Sequence, residues 1–466
     1  MTDATSRKPV LSTAVEELIK NRPTVTDRDV KAATWICFFA WTFAVYDFVL
    51  FGSLLPRLAE SHGWSGSYAT GVNTWVTIGT AIVALCVGPM VDKLGRRKGI
   101  MIAVIGAALM SAVTALAGWL IGIIAGLGVI FLILIRSLAG LGYAEQTINA
   151  TYLNEMFAET HSSPEKARRR GLVYSVVQSG YSIGSVLAAG SIYLLFPIGG
   201  WALCFIVGAF PALFMVWAAR YLKESPQYIM RQQAERLIKD GREEEAHAFA
   251  SAIGFSLHDR SAPIVSAFKK ESLRATVVLG LSFFLIWFGA LTFGILGTSL
   301  LSAPDGKNIA FDNAIVVLIV SNLSAWLGFL CFGWLGDMMG RRNAIAIGWM
   351  LSGAAFTVML NAPDGGFAII VALYSVGLFF LWGPFASLLF FSGESFSAHV
   401  RATGTSIIAA VGQMGAVAAG ALITYSLASG AGWVHTATVW GAAPTFIAGL
   451  LILCARNIPP HTVQSS

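Results

Sequence analysis

The chain has 466 residues, of which 56% are hydrophobic and only 12% charged, with a formal net charge of +6 and a mean hydropathy of +0.69. Soluble domains carry roughly twice that charged fraction, so the composition excludes an ordinary water-soluble fold.

Residues 1–32 are polar and lack the apolar core of a signal peptide, which predicts a cytoplasmic tail with a short helix over 13–20. Twelve apolar runs follow, at roughly 33–56, 69–91, 99–119, 125–154, 171–195, 201–221, 275–300, 313–335, 344–361, 367–392, 403–428 and 433–455. Each is long enough to cross a bilayer as a helix, and their continuity excludes a barrel of short alternating strands. The expected fold is an all-α membrane protein of twelve transmembrane helices in two pseudo-symmetric six-helix bundles. The boundaries are a tail at 1–32, a first bundle at 33–221, a central cytoplasmic loop at 222–273, a second bundle at 274–456 and a tail at 457–466. Within the loop, Arg231 to Ala250 reads as one or two amphipathic helices on the membrane face.

The duplication shows in a basic turn. Gly88, Asp92, Gly95, Arg96, Arg97 and Ile100 align without a gap on Gly333, Asp337, Gly340, Arg341, Arg342 and Ile345, six identities in thirteen places. A stop-transfer turn needs Lys and Arg but no fixed Gly and Asp, so the recurrence indicates a repeated unit. A second echo supports it. Glu155 is followed by Arg168, Arg169, Arg170 and Gly171, and Glu394 is followed by Arg401 and Gly404. Physically, Gly95 permits a tight reversal and the Arg pair anchors the turn among headgroups. Asp92 can bind guanidinium groups or cap a helix N-terminus.

Orientation follows from the cations. With the N-terminus inside, 28 of the 31 Lys and Arg fall on cytoplasmic segments; Arg57 and Lys307 lie outside and Arg136 lies within a span. The positive-inside rule therefore predicts a multi-pass protein of the cell inner (plasma) membrane with both termini cytoplasmic. The net charge then reflects topology and contact with the inner leaflet. Cys37, Cys86, Cys204, Cys331 and Cys454 all fall in spans without metal-ligand spacing and read as free thiols among core residues. No metal and no cofactor are expected. A membrane enzyme would need a nucleophile or metal constellation, but the seven His are scattered and no Gly-x-Ser-x-Gly string occurs. A sensor built on a carrier scaffold would be expected to carry a long signalling tail, and only ten residues follow Arg456.

Ionisable residues inside a membrane are costly and mark ion or substrate pathways. Three sit well within spans: Asp47 in the first, and Arg136 and Glu145 in the fourth. None lies deep in the second half, where Asp337 and Glu394 stand at helix ends. An isolated carboxylate at Asp47 favours its protonated form, so it is a candidate proton carrier; a static ion pair with Arg136 is the structural alternative. Arg136 stays charged and must meet an acid, carbonyls or an anionic substrate. Gly140 and Tyr143 share its face at helical spacing. Glu145, nine positions on, points elsewhere and reads as paired to a neighbouring helix or as a second relay acid. Gln146 and Asn149 in the fourth span, Gln178 and Tyr181 in the fifth and Gln413 in the eleventh are polar groups in apolar runs. They suit interhelical bonds or substrate contact. Trp287 and Phe288 in the seventh span, and Tyr374, Phe380, Trp382 and Phe385 in the tenth, supply rings for packing or for a ligand.

These features resemble the major facilitator superfamily over essentially the whole chain. Both basic turns are similar to its Gly-x-x-x-Asp-x-x-Gly-Arg-Arg signature. Arg136-Ser-Leu-Ala-Gly140-Leu-Gly142 is similar to its Arg-x-x-x-Gly-x-Gly element. Glu224-Ser225-Pro226 resembles the Glu-Ser-Pro motif of sugar and organic-ion carriers, with Lys223 and Gln227 departing from it. Tyr46-Asp47-Phe48, then Gly52 and Pro56, resembles the first helix of organic-acid:proton symporters. The aromatic-acid group's Asp-Gly-x-Asp string keeps only its second Asp here, Ala44 replacing the first. The sugar-porter branch fits less well, since its paired glutamines are missing from 275–300 and Asn457-Ile-Pro-Pro stands at its Pro-Glu-Thr ending.

The resemblance implies two bundles rocking about a central site. It also implies a cytoplasmic latch holding the outward-facing state, with gating residues Gly88, Asp92, Gly95, Arg96, Arg97, Glu155, Arg170, Asp337, Gly340, Arg341, Glu394 and Arg401. The resulting reading is a monomeric, proton-driven importer of a small organic anion such as an aromatic or aliphatic carboxylate. Asp47, Arg136 and Glu145 would serve proton coupling. Arg136, Tyr143, Gln146, Gln178, Tyr181, Trp382 and Gln413 would serve the substrate. The rivals are a proton-coupled sugar or other neutral-solute carrier and a drug:proton antiporter. Protons, a small-molecule substrate and the lipid bilayer are the expected partners, with no nucleic acid.

Overall fold

The computed structural model describes residues 13–21, 23–160, 173–252, 264–364, 366–396 and 400–457. Arg170 lies outside them, and of Asp92 and Arg401 only the backbone is described. All regular structure among the described residues is helical.

The first span, Asp27–His62, opens on a reciprocal cap between Thr26 and Asp29 and closes at Gly63 in the left-handed region. The second (Gly66–Leu94) and third (Arg96–Ile123) are single helices that meet at Gly95. The fourth is broken at Gly140, running Ala125–Ala139 and then Leu141–Thr160. Next comes one apolar helical stretch of 46 residues, Val173–Ala218. At 1.5 Å per residue it is more than twice the thickness of a bilayer core. Non-helical backbone at Gly199 and Gly200 divides it into the fifth and sixth spans, so eleven apolar stretches make twelve crossings.

The second half repeats this plan. The seventh span is Lys270–Gly289, continuing through a π-turn at Ala290–Ile295 into Gly297–Ser302. The eighth is Phe311–Met339, the ninth Arg341–Leu360, and the tenth Phe367–Trp382 with Phe385–Glu394. The eleventh is Arg401–Ala428. The twelfth runs Trp433–Ala437, a second π-turn at Thr438–Ala442, and Ala443–Ile452.

Packing is pseudo-symmetric. In the first bundle the first span lies on the fifth, the second on the fourth, and the third on the fourth and sixth. In the second bundle the seventh lies on the eleventh, the eighth on the tenth, and the ninth on the tenth and twelfth. Small residues allow these approaches, as in other membrane helix pairs. A Cβ on Gly184 would strike the Thr42 carbonyl between the fifth and first spans, and one on Gly415 would strike the Phe284 carbonyl between the eleventh and seventh. The bundles meet through the fifth span on the eighth and the second on the eleventh, with the first touching the end of the seventh.

At the face carrying the basic turns, helices Pro226–Lys239 and Glu243–Ala252 pack with Thr13–Lys20 around Val15, Met230, Leu237 and Phe249. The cysteine expectation needs correction. Only Cys37 and Cys204 are buried, while Cys86 and Cys331 are exposed on their helices and Cys454 is exposed in the turn after the twelfth; a polarisable apolar thiol on a helix face suits lipid as well as it suits a core.

Candidate functional site

At the centre of the first bundle Asp47 and Arg136 face each other, each 3% exposed. Arg136 donates from Nη1 to Asp47 Oδ1 at 3.0 Å and from Nη2 to Oδ2 at 3.1 Å, with a further bond from Nη2 to the Asp47 carbonyl at 3.0 Å. The guanidinium lies over the rings of Phe51 and Phe205, 5.2 and 5.4 Å from their centroids. Its Nε is buried without a partner. Charge-assisted bidentate geometry is what makes such a pair tolerable in an apolar layer. Beside it is a cavity of about 20 Å³ lined by Asn73, Thr77 and Thr80 of the second span, by Gly140, and by Ile295 from the π-turn of the seventh. It has room for about one water.

Asn73, Thr77 and Thr80 were not singled out from sequence, although their i, i+4, i+7 spacing places them on one helix face. The first and seventh spans close over this cavity on the side away from the basic turns. Thr298 Oγ1 donates to the Gly52 carbonyl at 3.3 Å, and a Cβ on Gly52 would stand 2.6 Å from Ile295.

A second layer spans the bundle interface. The rings of Tyr181 and Trp382 lie 4.0 Å apart, those of Tyr143 and Trp287 5.7 Å, and Trp41 lies 6.4 Å from Tyr181. The Tyr181 hydroxyl and the indole N–H groups of Trp41, Trp287 and Trp382 are buried without partners, so four donors stand ready for a guest with acceptors. Tyr143 points to Gln413, Phe48 and Trp287. The expected place beside Arg136 is therefore corrected. The fourth helix is interrupted at Gly140, which breaks the straight-helix register between positions 136 and 143. Gln146 donates to Gln178 and Gln178 to the Tyr174 hydroxyl, both at 2.9 Å, so these amides bond between the fourth and fifth spans. Trp41 was missed because a lone Trp in an apolar run carries no sequence signal.

The other rings are structural. Tyr374 donates to the Phe293 carbonyl, Phe380 packs on Phe332, Phe288 on Trp440, and Phe385 on Trp349. Glu145 is fully buried. Both its carboxyl oxygens lack hydrogen-bond partners, and it lines no part of the Asp47–Arg136 cavity.

The basic turns fold alike. Gly95 (φ 96°) and Gly340 (φ 88°) hold backbone conformations suited to glycine. Arg96 pairs with Glu155 at 3.1 Å, and Arg341 pairs with Glu394. Arg97 donates to the Ala219 carbonyl at the end of the sixth span, and Arg342 to the Leu453 and Ala455 carbonyls at the end of the twelfth. Glu224, part of the Glu-Ser-Pro motif, is tied to the first basic turn. Its Oε1 accepts from the backbone N–H groups of Arg96, Arg97 and Ser225 at 2.9, 3.2 and 3.0 Å, capping the third span. All these bonds lie within one bundle. Far from them, Lys307 is buried on the Leu360 and Ala362 carbonyls and on Asp364, and Arg57 lies over Phe196 and Phe311, one ring from each bundle.

The model of the Major Facilitator Superfamily matches residues 37–419. The chain belongs to that superfamily. Among its members, this one is 26% identical to a gallate transporter of Pseudomonas putida, with 94% of each chain covered. It is 23% identical to the niacin transporter NiaP of Acinetobacter baylyi, covering 92% of this chain and 95% of that one. It is 26% identical to a gentisate transporter of Corynebacterium glutamicum, covering 93% and 89%. The structure of the superfamily's proton:xylose symporter XylE, bound to 6-bromo-6-deoxy-D-glucose, superposes with a TM-score of 0.63. That match is at 18% identity and covers 91% of this chain and 94% of that one, a likeness of fold. The superfamily's twelve-helix architecture and the transporter relatives make this chain a multi-pass membrane transporter of a small molecule, not an enzyme.

Proposed function

We propose that this transporter is a proton-coupled symporter that imports a small organic anion, an aromatic carboxylate first among the candidates, by alternating access. The observation that carries this reading is the buried bidentate pair of Asp47 and Arg136 beside a water-sized cavity. Arg136 cannot lose its charge, so protonating Asp47 leaves it in need of another anion. A substrate carboxylate reaching the guanidinium fills that need, and the carried proton offsets the anion's charge in the apolar layer. The interfacial rings and their unpartnered donors suit a planar acid bearing acceptor groups. The gallate, niacin and gentisate transporters among the relatives support the same class.

The bundles rock about this layer. The basic turns face the cytoplasm, as do both termini, and the turns with Glu155 and Glu394 latch the cytoplasmic side in the outward-facing state. The protein works as a monomer in the inner membrane. One observation favours a second reading. Both terminal nitrogens of Arg136 are engaged by the Asp47 carboxylate, which suits a carrier whose pair handles protons alone while a neutral solute occupies the aromatic layer.

Radiolabelled uptake into proteoliposomes tests both, using gallate, gentisate, niacin and neutral analogues with and without an imposed pH gradient. Gradient-driven accumulation of the acids, with alkalinisation of the outer medium on substrate addition, is expected. Accumulation of neutral analogues alone selects the second reading, and acidification of the medium selects antiport.

A further inference from the structure

We propose that Glu145 is a second proton-binding site, separate from the Asp47–Arg136 pair and occupied by a proton in this closed arrangement, which discharges toward the face of the basic turns. The step rests in part on the coupling proposed above, because a second carried proton has meaning only in a proton-driven cycle.

Glu145 has no exposed surface and neither carboxyl oxygen has a hydrogen-bond partner. No cation among the described residues pairs with it, Arg136 being engaged by Asp47. The groups that face it are weak. On its own helix is Asn149, whose Nδ2 donates to the Cys37 carbonyl at 3.1 Å and whose Oδ1 is without a partner. From the first span comes the Cys37 thiol, and from the fifth the Tyr174 phenol. An ionised carboxylate among such neighbours would be buried without compensation, so the group is held as a neutral acid.

The position supplies the direction. Nine residues along the fourth span place Glu145 about 13 Å from Arg136, on the side of the basic turns. From Tyr174, hydrogen bonds of 2.9 Å each continue to Gln178 on the fifth span and Gln146 on the fourth. When the bundles part on the basic-turn side, water reaches this part of the first bundle. The acid then gives up its proton to solvent, with no redox partner or covalent step required.

Two measurements test this on the full-length protein in nanodiscs and proteoliposomes. Infrared difference spectra at neutral pH read the carbonyl stretch of protonated carboxyl groups without any substrate. The band is expected in the unmodified protein, persists in Asp47→Asn and is lost in Glu145→Gln. Its persistence in Glu145→Gln overturns the proposal. Should that variant not fold, Glu145→Asp carries the same test by shifting the band instead of deleting it.

The second measurement is the dependence of gallate accumulation on the imposed pH gradient. Its slope falls by one proton per substrate in Glu145→Gln while accumulation persists. An unchanged slope removes Glu145 from the cycle even if it is protonated. Gradient-independent uptake by the unmodified protein would instead sink proton coupling as a whole and leave the infrared result to judge Glu145 alone.

Discussion

The ring of Tyr181, on the fifth span, lies 4.0 Å from that of Trp382, on the tenth. The contact joins the two bundles, and both the phenol and the indole keep unpartnered donors beside it. A guest at this interface must separate the rings and would then stack against them. Trp382→Ala should raise the KM for aromatic acids by about 3- to 10-fold, from the ~0.5–1.5 kcal/mol of an aromatic pair, with a smaller effect on aliphatic acids. Trp382→Phe should recover most of it. Equal losses for both substrate classes would remove the ring from the site.

The Asp47–Arg136 pair separates coupling from stability. Asp47→Asn should abolish gradient-driven accumulation and spare substrate exchange, while Arg136→Lys should weaken acids far more than neutral analogues. Arg136→Leu alone strands a buried carboxylate and should cost about 3–5 kcal/mol in thermal unfolding. The double change Asp47→Leu, Arg136→Leu should regain most of that stability and still fail to transport. Proton-coupled uptake by the double variant would refute the assignment.

Closure on the side away from the basic turns depends on a missing side chain. Gly52 sits against Ile295 so closely that a Cβ would stand 2.6 Å from both its side chain and its carbonyl oxygen. Gly52→Val should therefore disfavour this closed arrangement by about 1–3 kcal/mol, the usual cost of overpacking. Spin-label distances between the first and seventh spans would lengthen. An unaltered distance distribution would show that the contact does not decide the equilibrium.

The two basic turns should respond unequally to the same change. Gly95 and Gly340 share a conformation costly to other residues, by about 1–3 kcal/mol. At Gly95 an added Cβ would also meet the Glu224 carboxylate, whereas at Gly340 its nearest neighbour is Asn457 at 3.8 Å. Gly95→Ala should be the more destabilising in thermal unfolding, and Glu224→Ala should loosen the third span's start by ~1–2 kcal/mol, as a lost helix cap does. Arg96→Ala should lower turnover with membrane insertion intact. Unchanged turnover would leave Arg96 as an anchor only.

Much of this site was legible because ionisable residues inside apolar runs are rare. Asp47, Arg136 and Glu145 stand out against their neighbours, and Arg136 needed an acid at similar depth. Glu224 was visible only as a motif, since nothing local connects it with Arg96 across 128 positions. Tyr143 was misdirected because the helix break at Gly140 changes which residues share a face. The four unpartnered donors of Trp41, Tyr181, Trp287 and Trp382 were invisible as a group, because aromatic residues in apolar helices look alike until their rotation is known.

Composition and period alone determined that twelve helices cross a bilayer in two repeated halves, with charge held in the first. Those properties follow from the free energy of each segment taken separately in an apolar solvent. Only the tertiary structure decided that Arg136 saturates Asp47, that Glu145 is left without a partner, and that aromatic donors from both halves converge. Such pairings depend on how each helix is turned about its axis against helices far away in the chain, and a local pattern carries no record of that rotation.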